Sequence, residues 1–367
     1  MKIVFLARTL NQGGAQRQLV ALARGLKERN HSVHVIVFYA HGFFENELRT
    51  GGIDVRVLHR QGRWRVVALW EQMVQIVREL NPDILHGYLE TPNVCAALLR
   101  RSIPQAKVVF GIRASAIDYE QYDFVIRVMN WIEAHAAHYA DLVIANSQAG
   151  AADAISAGFP SGNVMVISNG IDTEYFVPNA EAGRKIRQQW KIKDDEFLIG
   201  VVGRLDPKKD HATFLRAAAR LKQPNLKFVC VGVGEPTPAL QQLAESLQLQ
   251  NCLQWIAPQT AMPDVYNALD VLCLSSSFGE GFPNVVGEAM ACGVPCVVTN
   301  SGDAALVVDE LGEVVTAGDD ESMAAAINKS LNQNRQTISI RLRQRVIENF
   351  SLQELMTKTE SALLALI

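Results

Sequence analysis

Two glutamates, Glu280 and Glu288, stand eight residues apart in the run Phe278-Gly-Glu-Gly-Phe-Pro-Asn-Val-Val-Gly-Glu-Ala-Met290. Gly279 and Gly281 flank the first of them, just after the apolar stretch 270–275 that reads as a buried strand. Pro283 sits where a helix would begin, a position at which its missing N–H is harmless. A glycine-rich strand-to-helix turn lets backbone N–H groups and the positive helix end approach an anion closely. A carboxylate beside such a cradle repels phosphate but suits the hydroxyl groups of a sugar attached to it. Glu280 in the turn and Glu288 in the helix therefore point to a sugar nucleotide site.

A second segment, Gly203-Arg-Leu-Asp-Pro-Lys-Lys-Asp210, also follows an apolar run and precedes a helical stretch. When a nucleoside diphosphate leaves a sugar, negative charge builds on the departing phosphate. Preorganised positive charge aimed there is the most useful contribution a protein makes. Arginine grips two phosphate oxygens with its planar fork, and lysine supplies a point charge. Arg204 and Lys209 are the candidates, with Lys208 read as a solvated neighbour.

The elements that must position these groups alternate along the whole chain. Apolar runs at 2–7, 33–38, 54–58, 83–86, 107–112, 141–145 and 164–168 read as strands, with helical stretches at 15–29, 64–80, 120–139 and 147–157 between them. A second series has strands at 197–202, 227–231, 270–275, 295–298 and 313–315, and helices at 210–222, 237–248, 283–292 and 319–331. Strand–helix alternation is the signature of a parallel sheet covered on both faces. The 367 residues suffice for two such domains. The expected division is 1–178 for the first, 179–350 for the second and 351–367 for a terminal helix returning to the first. Ligands of such sheets bind beyond the carboxyl ends of the strands, so a cleft between two facing domains is the default site.

Bulk properties narrow the partners. The chain is 49% hydrophobic and 20% charged, the composition of an ordinary globular protein. Its longest apolar runs are strand-sized, and Arg8 ends the first one early enough that it reads as a strand rather than a leader. The six cysteines include no Cys-x-x-Cys pair and are expected to be reduced, in a cytoplasmic protein. A net charge of −3 argues against nucleic acid as a partner. Residues 1–113, however, hold sixteen Lys/Arg against eight Asp/Glu, which favours anionic membrane surfaces or phosphorylated acceptors. Arg60, Arg63 and Arg65 with Trp64 begin a helix whose stripe is Val66, Leu69, Trp70, Met73, Ile76, Val77 and Leu80. Packing on the sheet is the favoured use of that stripe, and peripheral contact with an anionic membrane, at the cytoplasmic face of the inner membrane, is the alternative.

The thirteen residues around Glu280 and Glu288 closely resemble the Glu-x7-Glu signature of the family 4 (group 1) glycosyltransferases, retaining enzymes of the two-domain GT-B fold. Arg204 and Lys209 match that family's diphosphate-holding pair. Asn11-Gln-Gly-Gly-Ala-Gln-Arg17 resembles its N-terminal glycine loop, which implies that Gly13 and Gly14 close over the donor. Asn169-Gly-Ile-Asp-Thr-Glu-Tyr-Phe176 resembles its turn at the end of the first domain, and Phe350-Ser-Leu-Gln-Glu-Leu-Met356 its last helix. The resemblance implies an α/β chain of two Rossmann-like doubly wound domains facing each other across a cleft. It also implies transfer of a sugar from a nucleoside diphosphate, UDP above all, to a saccharide or lipid-linked acceptor. In those roles Glu280 takes hydroxyls of the transferred sugar and Glu288 the ribose, while the backbone at Gly281, Phe282, Pro283 and Asn284 meets the distal phosphate and sugar. The family's leaving phosphate takes the acceptor proton itself, so no side-chain nucleophile is nominated. No cofactor is implied, and with no Asp-x-Asp pair in the chain metal independence is expected.

The first domain departs from the pattern. Family members often carry a histidine after the fifth strand, and Val108-Val-Phe-Gly-Ile-Arg113 puts Arg113 there. Arginine can stabilise charge or fix an acceptor but cannot act as a base at neutral pH. His86, in Pro82-Asp-Ile-Leu-His-Gly-Tyr88, matches another recurrent histidine, and Asp118 and Tyr119 are candidate acceptor contacts. The rivals are a sugar-nucleotide epimerase, for which no acid/base pair is evident, and a catalytically idle sugar-nucleotide binder. A Rossmann dehydrogenase fails because Gly232-Val-Gly-Glu-Pro236 lacks the third glycine.

Overall fold

The computed structural model describes residues 1–58, 65–113, 124–221, 223–232 and 235–367. Asp118, Tyr119, Arg60, Arg63 and Trp64 lie outside the described residues. The chain divides into two compact units, Met1–Gly170 with Leu352–Ile367, and Ile171–Ser351.

In the first unit, β1 (Lys2–Ala7), β2 (Ser32–Val37), β3 (Asp54–Val57), β4 (Ile84–Tyr88), β5 (Lys107–Ile112), β6 (Leu142–Ala145) and β7 (Val164–Val166) form one sheet in the order β3-β2-β1-β4-β5-β6-β7. Every pairing is parallel. The near-continuous apolar strands are those expected of a sheet buried on both faces. One core holds Phe5, Leu22 and Val35 with Leu355, Met356 and Leu363 of the helix Leu352–Leu364. That helix lies so close to Gly25 that a Cβ there would meet the Met356 sulfur at 2.4 Å. Glu360 anchors it through Arg29 and His31, each at 2.6 Å. The opposite core holds Leu6, Leu85 and Phe110 with Met73 and Val77. The apolar stripe of the helix Arg65–Leu80 is thus used in packing, with Leu69, Trp70 and Ile76 against the same core.

In the second unit, β8 (Phe197–Val202), β9 (Leu226–Val231), β10 (Leu253–Ile256), β11 (Val271–Leu274), β12 (Cys296–Thr299) and β13 (Glu313–Val315) run in the order β10-β9-β8-β11-β12-β13, again all parallel. Both units share the 3-2-1-4-5-6 order of doubly wound folds. The strand order reverses between β1 and β4 in one and between β8 and β11 in the other. Beyond the carboxyl ends of such a strand pair the connecting loops diverge and leave a crevice for ligand. Arg204 and Lys209 follow β8 and Glu280 follows β11, so the second unit's candidates converge on its reversal point. Gly13 follows β1 and Tyr88 ends β4 at the first unit's. Among the described residues, no helix is long and apolar enough to cross a membrane.

Candidate functional site

The loop after β8 is shaped by two acids. Asp206 caps the turn Pro207–Lys209 by accepting from the Lys208 N–H at 3.2 Å. Asp210, in the left-handed region at φ 42°, caps the helix His211–Arg220 through the Thr213 N–H at 3.2 Å and its hydroxyl at 2.5 Å. Lys209 lies between these caps, which fix its backbone. Serines after β11 tie the two loops together. The Ser275 hydroxyl donates to the Lys209 carbonyl at 2.8 Å, and the Ser277 N–H to the Lys208 carbonyl at 2.8 Å. The Ser276 carbonyl in turn accepts from Thr299 at the end of β12, at 2.6 Å.

Within this frame the Lys209 ammonium meets the Glu280 carboxylate at 2.5 Å, and Ser276 donates to the same Oε1 at 2.6 Å. Side-chain exposures are 19% for Lys209 and 10% for Glu280, so the pair is screened only weakly. Arg204 is exposed, five residues upstream in the same loop, and makes no ion pair with a described residue. His211, 3% exposed, is kept neutral: burial, then the Lys209 charge, push it down to about 4.

Glu280 also has its backbone fixed. Gly302, at φ 57°, approaches so closely that a Cβ would lie 2.1 Å from the Glu280 carbonyl oxygen. The neighbouring Asp303 N–H donates to the Gly281 carbonyl at 3.1 Å. Phe282 turns inward, 4% exposed, and packs on Phe350 with ring centroids 5.2 Å apart. Its contribution to a site is therefore backbone only. Pro283 proves to be the capping residue rather than the first helical one. The helix runs Asn284–Ala291, with no side-chain cap on its amino end. Glu288 lies in that helix and accepts from the hydroxyl of the fully buried Tyr266 at 2.6 Å. Burial and the Glu288 charge hold the Tyr266 phenol well above its usual range, so it stays a donor.

The first unit's candidates are arranged differently. Gly13 precedes the helix Gly14–Glu28 in extended backbone, φ −179°, which any residue adopts. Left-handed freedom is not what glycine supplies there. His86 is 0% exposed, neither ring nitrogen has a partner among the described residues, and burial with the Arg113 charge pushes it down to about 3. In this structure it is a packed, neutral residue. Arg113 lies over the Tyr88 ring at 4.2 Å. Asn93, on the helix Glu90–Leu99, accepts from the Gly111 N–H at 3.1 Å, donates to its carbonyl at 3.2 Å, and donates to Glu133 at 2.7 Å. Burial pushes the Glu133 carboxyl up to about 7.

Sequence reasoning missed Ser275, Ser276, Tyr266, Gly302 and Asn93. The triple serine after an apolar strand was a usable signal, whereas the others act through partners distant in the chain. A cavity of about 540 Å3 lies at the other end of the second sheet. It is lined by Asn179, Arg187, Asp270 and Arg335, and Asp270 pairs with both arginines and the Leu198 N–H. These pairs tie Asp270 down at the amino ends of β8 and β11, away from the loops that carry Arg204, Lys209 and Glu280.

Residues 183–351 match the model of the glycosyl transferases group 1, and residues 12–175 that of glycosyltransferase family 4. The chain belongs to this family. HepE of Anabaena, solved with UDP, superposes over the full length of both chains with a TM-score of 0.89 and 26% identity, so the fold is GT-B. The galactosyltransferase of Escherichia coli that uses UDP-Gal and an N-acetylglucosaminyl diphosphoundecaprenol is 27% identical over 263 residues, 70% of this chain and 68% of that protein. The D-inositol 3-phosphate glycosyltransferase of Corynebacterium jeikeium is 32% identical over 206 residues, 52% of this chain. The matched stretch spans only 49% of that relative's length.

Proposed function

We propose that the protein transfers a sugar from a nucleoside diphosphate, UDP in particular, to a saccharide or lipid-linked acceptor, with retention of anomeric configuration and without a metal. The observation that carries this is the Lys209–Glu280 contact at the reversal point of the second sheet, with exposed Arg204 on the same loop. Arg204 and Lys209 supply the positive charge that the leaving diphosphate needs, the role a divalent ion plays elsewhere. Glu280 holds Lys209 until the donor arrives. It then exchanges the ammonium for hydroxyls of the transferred sugar, while Glu288, oriented by Tyr266, takes the ribose. The bond from the anomeric carbon to the diphosphate breaks, the acceptor oxygen bonds that carbon on the same face, and its proton passes to the leaving phosphate. HepE's capture with UDP and the E. coli relative's lipid-linked acceptor support this substrate class. The setting is assembly of a surface polysaccharide or glycoconjugate, with the basic first third drawing the protein to an anionic inner-membrane face.

Incubation with UDP-sugars and acceptor sugars tests the reading. The expected result is UDP release coupled to a product whose NMR coupling constant reports the donor's own anomeric configuration. Inversion would overturn the mechanism, and no UDP release from any donor would overturn the function.

A further inference from the structure

The carboxyl ends of β4 and β5 hold polar groups that the transfer chemistry does not use. In the parallel register Tyr88 lies beside Gly111, and Arg113 follows two residues on, hence on the same face of the sheet. The Arg113 guanidinium covers the Tyr88 ring at 4.2 Å, and its Nε is enclosed without a partner among the described residues. The Tyr88 hydroxyl and both His86 nitrogens are likewise enclosed and without a partner among the described residues, in residues 3% and 0% exposed. Gly111 keeps the space open, since a Cβ there would lie 3.3 Å from His86 Nε2 and 3.4 Å from the Tyr88 ring.

Buried polar groups are almost always paired, and the half-buried Arg113 side chain has no described anion beside it. Four atoms in three touching residues with no partner among the described residues therefore mark a place completed by another group. No described carboxylate contributes: Arg113 and Tyr88 respond only to each other's charge, and His86 only to Arg113. Glu133, the nearby buried acid, is bonded to Asn93 instead. The missing group must bring negative charge and accept several hydrogen bonds. We propose that Arg113, Tyr88 and His86 form a subsite for an oxyanion, a phosphate or carboxylate, carried by the acceptor. Binding draws the guanidinium fork onto the oxyanion and lets the freed tyrosine hydroxyl donate to it. The proposal rests on the transferase reading in assigning this anion to the acceptor. It makes Arg113 a specificity residue, for which a neutral histidine would be no substitute.

Calorimetry with UDP present, to occupy the second unit, tests this. Glucose 6-phosphate, glucuronate and glucose are titrated into the wild type, Arg113→Gln and Tyr88→Phe. Both anionic sugars should bind the wild type at least about tenfold more tightly than glucose, the equivalent of one charge-assisted hydrogen bond. That preference should vanish in Arg113→Gln and weaken in Tyr88→Phe, while UDP affinity stays at the wild-type value and reports an intact fold. A stronger response to one anion identifies its source as phosphate or carboxylate. Equal binding of all three sugars, no binding of the anionic pair, or a preference that survives Arg113→Gln would overturn the subsite. Failure of UDP to bind the wild type would instead count against the nucleotide-sugar reading, and the three sugars would still report on the subsite.

Discussion

Separating Lys209 from Glu280 should affect stability and UDP binding in different ways. At 2.5 Å the pair's attraction is about 6–7 kcal/mol for an effective dielectric of about 20. Much of that offsets the desolvation of two charges that are only 19% and 10% exposed. Removing one partner from a buried pair costs about 3–5 kcal/mol, because the other is left uncompensated. Lys209→Met should lie near the lower bound, about 3 kcal/mol, since Ser276 still donates to the carboxylate. Glu280→Gln should cost about 2 kcal/mol, its amide oxygen replacing one acceptor. The double variant should cost less than the sum by at least about 2 kcal/mol, as urea unfolding followed by circular dichroism would measure. UDP separates their roles. Lys209→Met should weaken UDP about tenfold to a hundredfold, the loss of one charge-assisted contact. Glu280→Gln should bind UDP at least as tightly as wild type, because the ammonium is released to the diphosphate. Its transfer rate should nonetheless fall about a hundredfold to a thousandfold. Additive stabilities, or an equal loss of UDP affinity in both single variants, would overturn the division of labour between Lys209 and Glu280.

Glu133 should give the first unit a pH-dependent stability. Its folded value of about 7 lies above the ordinary 4.5, so protonation favours the fold. Stability from this group is full below about pH 4.5 and lost as pH rises through about 7, by about 3 kcal/mol in all. Glu133→Gln should flatten that slope in urea titrations and leave the protein more stable at pH 8. Tyr266→Phe removes the donor to Glu288 and should cost about 1.5–3 kcal/mol, with a raised KM for the donor sugar in steady-state assays. Gly302→Ala combines a left-handed φ with a backbone clash at Glu280 and should cost about 2–4 kcal/mol, read as a lowered Tm.

The alternating fold was legible because most strands are short apolar runs closed by polar turns, as at Phe197–Val202 and Lys107–Ile112. β10 was not, because this edge strand is only half-buried and carries Gln254 in its middle. The helix Glu90–Leu99 escaped for a different reason. Its capping residue is Leu89, φ 76°, and it buries the polar Asn93, so neither a cap signal nor an apolar stripe marks it. At the site, Lys209 and Glu280 could each be singled out from local motifs. Their bond to each other spans 71 residues and depends on β8 and β11 being neighbours, which no spacing reveals. The same holds for Tyr266 with Glu288 and for Arg113 on Tyr88. Residue type announced the chemistry, and strand order decided which groups meet.

A crystal structure of the protein with UDP tests the assignment of the diphosphate to Arg204 and Lys209. Diphosphate oxygens are expected within about 3 Å of Arg204 and Lys209, with the ribose hydroxyls on Glu288. A diphosphate held elsewhere, with Lys209 still closed on Glu280 and Arg204 in solvent, would overturn that assignment.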